Sequence, residues 1–406
     1  MSALHALGRY RDLPRLLGSP FLLVGFLARL PVAMVVLGVL TLVTSATGSV
    51  GEAGLASAAL AVSTAVAGPL IGRWTDRRGQ RLPLLLLAPV NAVALVVLVL
   101  AARAGAPVAA LCALCAVVGL SNVPIGSLAR VRWLGAAGEP RVAGAALSYE
   151  SMADELGFVL GPALVGLAAS AGSPEAPLLL AAALVAIFVT AFALHPSAAV
   201  ADPRVRPLTA AAAPGLARVL RKVGPAVAGM ACVGLFFGAS QTAVTAFAVD
   251  AGEPGRAGLI YALMGTGSAV MALAVVALPE SVTLRARLVV CGLGMAALST
   301  AMTAPTGLGP LAVLVLAVGL FVGPAMVTLF TAAGRLAPEG GTAVAMTALS
   351  SANVVGVALA AAVGGRLADA VGPDAAFAVA AAASAALALL ALALRTPVRH
   401  IPAADA

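Results

Sequence analysis

Apolar runs of roughly twenty residues recur along the whole 406-residue chain, cut apart by short clusters of glycine, proline and charge. A helix of about 20 residues rises about 30 Å, the thickness of a bilayer's hydrocarbon core. The runs therefore predict membrane-crossing helices at about 20–44, 53–72, 83–102, 107–128, 144–170, 176–195, 225–249, 257–279, 287–304, 309–332, 343–364 and 374–394. Twelve such helices leave short connections and no room for a large soluble domain. The chain is 62% hydrophobic and only 10% charged, against about 25% charged for a soluble domain. The composition excludes a water-soluble globular protein.

The formal charge of +8 invites a nucleic-acid reading until the arginines are placed. With the first residue inside, the cytoplasmic segments collect Arg9, Arg11, Arg15, Arg73, Arg77, Arg78, Arg81, Arg130, Arg132, Arg141, Arg204, Arg206, Arg218, Arg221, Lys222, Arg285, Arg287, Arg335, Arg395 and Arg399, whereas the outer loops hold Arg103, Arg256 and Arg366. Retention of basic residues on the cytoplasmic side then sets a multi-pass cell-membrane protein with both termini cytoplasmic. The charge reports insertion, not a nucleic-acid partner. The first apolar run, from Pro20 to about Val43, is too long for the 7–15-residue apolar region of a signal peptide and reads as a retained helix. Cys112, Cys115, Cys232 and Cys291 all lie in apolar runs and form no disulfide or metal framework.

The longest polar interruption falls near the midpoint, and the two sides of it resemble each other. A shift of 200 lays Gly119, Leu120 and Pro124 on Gly319, Leu320 and Pro324; a shift of 199 lays Asp154, Gly157, Gly166, Pro174 and Glu175 on Asn353, Gly356, Gly365, Pro373 and Asp374. A nearly constant offset points to duplication, the plan of many transporters. The expected organisation is an all-α integral membrane fold of two six-helix pseudo-repeats: a bundle at 1–196, a cytoplasmic linker at 197–224 and a second bundle at 225–406.

Between the second and third runs stands Gly72-Arg73-Trp74-Thr75-Asp76-Arg77-Arg78-Gly79-Gln80-Arg81. Gly72, Asp76, Arg77, Gly79 and Arg81 resemble the signature loop of the major facilitator superfamily, with Trp74 in place of a leucine and Gln80 in place of a basic residue. The resemblance implies a cytoplasmic gate that holds one conformation. On physical grounds Asp76 suits a helix N-terminus or the neighbouring guanidinium groups, while the arginines also serve topology. The second-half loop, Pro279 to Arg285, has lost the pattern.

The fifth run opens with Glu150, Asp154 and Glu155, an expensive set of acids unless they face a bundle interior, water or a partner. Glu150 and Asp154, one turn apart, share a face. Two readings stand: proton coupling in a partly dry cavity, or an interfacial helix start whose dipole the acids satisfy. Gly157, Gly161, Pro162 and Gly166 resemble the antiporter motif of drug/proton exchangers, with Val165 where another glycine is usual; the resemblance implies export in exchange for protons. Small residues four apart also pack helices closely without any such role. Arg29, inside the first run, can pair with Glu150 or Asp154, bind an anionic substrate, or snorkel to the cytoplasmic side.

Asn91, Asn122, Gln241, Tyr261 and Asn353 are isolated polar residues on apolar runs, suited to lining a cavity or to bonding helix to helix. Arg130, Arg132 and Trp133 read as an interfacial anchor. His5, His195 and His400 border the runs or lie in tails and make no proton relay. Nothing resembles a nucleotide loop, a metal motif or a catalytic set. The chain is expected to be no enzyme, to need no cofactor or metal, and to work as a monomer in the lipid bilayer on a small-molecule substrate and protons. The function expected is proton-coupled export of a small organic molecule by alternating access; a uniporter or importer, or a non-transporting membrane sensor, are the alternatives.

Overall fold

A computed structural model describes residues 9–171, 173–202, 214–253, 256–279 and 281–393. Arg204, Arg206, Arg395, Arg399, His5 and His400 lie outside the described residues. The described chain is all-α. Twelve helices are long and apolar enough to cross a bilayer: α1 Ser19–Thr47, α2 Glu52–Arg78, α3 Arg81–Arg103, α4 Val108–Ala136, α5 Arg141–Ser170, α6 Ala176–Leu194, α7 Leu216–Asp250, α8 Ala257–Ala277, α9 Leu284–Ala301, α10 Leu308–Leu336, α11 Thr342–Ala368 and α12 Pro373–Leu392. Leu23, Val62, Leu167, Leu259, Val313 and Leu389 stand more than 60% exposed on the outside, a cost that lipid removes. The protein is a multi-pass membrane protein.

Several helices outrun their apolar segments. α4 reaches Ala136 rather than about 128, because Asn122–Pro124 interrupts it and Ile125–Ala136 starts again. α7 begins at Leu216 rather than 225, since Val219 and Val223 are buried against Val344 and Ala345 of α11. Tertiary packing extends helices past the point where hydrophobic length alone would end them.

Two cores account for the architecture. One gathers buried residues from Leu13 to Ala193, joined by Ala343 from the second half; the other runs from Ala226 to Ala391. Between the halves, α2 packs on α11 and α5 packs on α8. Advancing each helix by six converts the first pairing into the second, so the interface repeats itself about a pseudo-two-fold axis. Duplication shows in detail as well: Gly119 of α4 lies against Leu60 and Ser63 of α2, and Gly319 of α10 against Met264 and Ser268 of α8. A side chain at either position would strike the neighbouring backbone.

Candidate functional site: a central cavity and its charged floor

A cavity of about 130 Å³ lies between the halves. The first half lines it from α1, α2, α4 and α5, the second from α7, α10 and α11. Arg29, Arg130 and Asp154 stand on the first-half wall; Met230, Met326, Phe330, Asn353 and Val354 stand on the other. Thr64, Ser127, Thr347, Ser350 and Ser351 supply hydroxyls where the walls meet.

The charged wall is built from three helices. Arg29 of α1 donates from Nη2 to Glu150 Oε2 at 2.6 Å, and from Nη1 to Asp154 Oδ1 at 3.0 Å and the Glu150 carbonyl at 3.2 Å. Its Nε donates to the Gly25 carbonyl at 3.1 Å. Trp133 Nε1 donates to the second Glu150 oxygen at 2.8 Å, and Arg130 Nη2 to the second Asp154 oxygen at 2.7 Å. Every carboxylate oxygen of Glu150 and Asp154 is thus matched by a donor, the condition under which buried charge is tolerated. The Arg130 guanidinium also sits 3.7 Å from the centroid of Phe330, on the opposite half, a cation–π contact across the seam.

Of the three α5 acids, only Asp154 reaches the cavity: its side chain is 20% exposed, against 1% for Glu150. Glu155 is buried and turned toward α8, beside Gly265. At about 100° per residue, position 155 leaves the face that 150 and 154 share. The structure thus brings Arg29, Glu150 and Asp154 together and places Glu155 at the seam between halves. The ion pair holds the Arg29 guanidinium buried inside the protein.

Arg130, Arg132 and Trp133 are corrected from an interfacial anchor to fully buried residues. The usable signal was Pro124: a helix restarted there puts Arg130 and Trp133 one turn apart, on the face that meets Glu150 and Asp154. Arg132 donates to Gln80 Oε1 at 2.8 Å, the Phe192 carbonyl at 2.9 Å and Ser197 Oγ at 2.9 Å, and stacks 3.8 Å from the Phe192 ring centroid. Gln80 in turn donates to the Leu128 carbonyl at 3.1 Å. A basic side chain at 80 would offer Arg132 no acceptor, which explains why glutamine suits this position. Nearby His195 accepts from Ser197 N at 3.2 Å, and burial together with the Arg132 charge pushes its imidazole below the ordinary value.

At the arginine-rich end from which α1 starts, the two halves are joined by hydrogen bonds. Asp76 at the end of α2 accepts from Ala343 N on Oδ1 and Val344 N on Oδ2, both at 3.0 Å. It caps α11 across the seam, using the unpaired amides and positive end of that helix. Gly72 permits the approach, because a Cβ there would lie 2.8 Å from the Ala343 carbonyl oxygen. Gly79 turns the chain at φ +75°, while Arg77, Arg78 and Arg81 stay exposed. Ser127 and Ser350 share a hydrogen bond of 2.7 Å above this clasp. Tyr10 donates to the Leu273 carbonyl of α8 at 2.7 Å, and burial raises its phenol to about 12.

The remaining candidates divide. Asn122 and Asn353 line the cavity. Asn91 bonds α3 to α4, donating to the Val118 carbonyl at 2.8 Å and Ser121 Oγ at 3.0 Å. Tyr261 donates to the Phe237 carbonyl at 3.3 Å, and Gln241 is exposed; neither is among the residues lining the cavity. In the glycine motif, Gly157 faces the Arg29 side chain and Gly161 meets Ala33, so both let α5 close on α1; Val165 is buried, and Gly166 has open space before it. The cysteines are all free.

Residues 21–278 match the Major Facilitator Superfamily profile. No curated protein matches the chain. Among solved structures, the chain is similar to the human organic anion transporter MFSD10 (TETRAN), at TM-score 0.70 and 19% identity, covering 92% of this chain and 98% of that one. A bacterial homologue of the iron transporter ferroportin, in outward-facing state with soaked iron, aligns at TM-score 0.70 and 16% identity, again over 92% and 98%. A variant of the E. coli fucose:proton symporter FucP aligns at TM-score 0.67 and 15% identity over the same shares. At such identities the likeness is one of fold.

Proposed function

This chain belongs to the major facilitator superfamily, a family of secondary transporters, and we propose that it carries a small organic molecule by alternating access, coupled to protons, with export as the direction of net flux. The observation that carries the reading is the Asp154 carboxylate, open to the cavity between the halves and bridged to Arg29 and Arg130. Neutralising it releases two guanidinium groups, one of which rests on the opposite half through Phe330. A proton there changes the binding surface and the seam together, which is what coupling requires. The motif of Gly157, Gly161, Pro162 and Gly166 favours export.

In this reading the arginine-rich end is cytoplasmic, Asp76 and its loop are the gate, and the structure represents the state closed to the cytoplasm. Residues 1–196 and 225–406 are the bundles that rock, with the linker of 197–224 between them on the cytoplasmic side; the protein works as a monomer. Glu155, at the seam, is a second proton site. One observation favours the opposite direction: an acid gripped by two arginines gives up its negative charge to a proton and leaves a positive pocket, so an anionic cargo and the proton bind together and move together.

Proteoliposomes with an imposed pH gradient test the proposal. Cargo movement against proton movement is expected for export, and movement with protons supports uptake. Asp154→Asn and Glu150→Gln, singly and together, are expected to reduce dependence on the gradient. Unchanged dependence overturns the coupling site, and flux indifferent to the gradient overturns coupling itself.

A further inference from the structure

We propose that the cargo is a small organic carboxylate, seated on Arg29 and Arg130 in the position that the Asp154 carboxylate takes here. The inference rests on the cavity being the cargo site, and its charge balance, one proton taken up with each anion, follows the co-transport reading. Two guanidinium groups from separate helices converge on one carboxylate, at 3.0 Å to Oδ1 and 2.7 Å to Oδ2. Their side chains are 5% and 1% exposed, so a molecule entering the cavity meets Asp154 first and the two cations behind it. That arrangement is a carboxylate receptor already filled by a side chain.

Arg130 shows that the filling is incomplete. Its Nη2 is on Asp154, while its Nε is buried with no hydrogen-bond partner among the described residues. Nε and Nη2 form one edge of the guanidinium, the edge that a free carboxylate grips with both oxygens. Asp154, tethered to α5, serves Nη2 and Arg29 and leaves Nε unmet. An untethered carboxylate satisfies the whole edge. Gly126 keeps the space open: a Cβ there would lie 2.8 Å from Asp154 Oδ1 and 3.2 Å from Arg130 Nη1.

Charge decides the class. Arg29 and Arg130 balance Glu150 and Asp154, so one added monoanion is balanced by one proton on Asp154. A cation would have to detach Asp154 from both arginines and would then face them. A phosphate dianion would need a second proton. The groups facing Asp154 that carry or exchange charge are Arg29 of α1, Arg130 of α4 and Glu150 of its own helix, while Glu155, next in the chain, is turned toward α8; α10 and α11 bring Phe330 and Asn353, which do not titrate. Phe158, Met230, Met326, Phe330 and Val354 make the rest of the cavity apolar, which suits a hydrocarbon or aromatic body of the kind that drives binding in such pockets.

The test uses the purified full-length protein and a matched series: benzoate and hexanoate, their neutral amides, and benzylamine and hexylamine, read by thermal stabilisation and tryptophan fluorescence. The carboxylates are expected to stabilise the protein and the amides and amines are not. Asp154→Asn, which removes the competing side chain, is expected to bind benzoate roughly tenfold more tightly, a factor well inside what one charged contact supplies. Arg130→Lys, which keeps the charge and removes the two-donor edge, is expected to weaken it by a similar factor; this variant tests the proposal even where the asparagine variant does not fold. Amines or amides binding as well as carboxylates, weaker benzoate binding to folded Asp154→Asn, or no carboxylate binding would each overturn the proposal. Benzoate binding without flux in proteoliposomes overturns the transport reading and with it the word cargo, leaving only the carboxylate site on Arg29 and Arg130, while flux of amines without benzoate binding overturns this proposal and leaves the transport reading.

Discussion

The two halves share a helix plan and differ in the wall each turns to the cavity. Arg130 in the first half corresponds to Phe330 in the second, Gly126 to Met326, and Asp154 to Asn353, at the offsets of 200 and 199 that also relate Gly119 to Gly319. Gly119 and Gly319 do the same work in both halves, seating α4 on α2 and α10 on α8. The cavity residues do not. Charge is concentrated in one bundle, and the facing bundle offers aromatic, thioether and amide surface. Packing positions are constrained by close contact and stay alike after duplication; positions facing a cavity are released to diverge. The contacts between the halves differ in the same way. Asp76 clasps α11 from α2, whereas on the other side of the axis Met152 of α5 packs on Val275 of α8 and Val327 of α10 through apolar contact.

The sharpest way to break this asymmetry is to strip the charged wall. Arg29→Met leaves Glu150 buried beside a single tryptophan donor and is expected to cost about 3–5 kcal/mol of stability, the usual penalty for orphaning one member of a buried ion pair. Adding Glu150→Gln should recover much of it. Unfolding measured by heating in detergent would show the loss and the rescue, and an Arg29→Met variant as stable as wild type would remove the structural part of the comparison. Asp76→Ala removes a helix cap worth about 1–2 kcal/mol, roughly a tenfold shift toward opening. In a background lacking the native cysteines, Ser350→Cys should then react with a maleimide about tenfold faster, and an unaltered rate would deny Asp76 the role of clasp.

Phe330→Leu tests the link across the seam. Removing the aromatic face from Arg130 is expected to cost roughly 1–2 kcal/mol, and a double-mutant cycle with Arg130→Gln should give a coupling energy of that order; additive effects would mean that the two walls act independently. The smallest effect belongs to Glu175, at the loop between α5 and α6. A hydrogen bond from Ser173 and the ion pair with Arg103 at 3.0 Å hold its carboxyl down to about 2. A depressed carboxyl adds stability above its unfolded value of about 4.3, and that contribution fades as the pH falls toward about 2. The melting temperature of Glu175→Gln should therefore sit slightly below wild type at neutral pH and converge with it in acid. A constant gap would argue that the pair is inert.

Much of this was legible in the residues. The twelve crossings follow from apolar length, and the signature loop is local in the chain. The partnership of Arg29 with Glu150 and Asp154 could be anticipated on charge grounds. Arg130 and Trp133 could not be placed, because the apolar run before them suggested that α4 had ended. Reading Pro124 as an interruption followed by a new start would have carried both inward. Gln241 and Tyr261, polar residues on apolar runs like Asn353, were indistinguishable from it until the rotation of each helix was known.

By itself, then, the chain's order of residues determined that it lives in a bilayer, how many times it crosses and that it was built by doubling. These depend on runs of neighbouring residues and on the transfer of apolar surface out of water, which needs no knowledge of partners. Only the tertiary structure decided that Arg130 shares Asp154 with Arg29, that Glu155 leaves the cluster for the seam, and that Asp76 caps a helix 267 positions away. Those outcomes depend on how each helix is turned about its axis, and that is set by close packing between surfaces far apart in sequence.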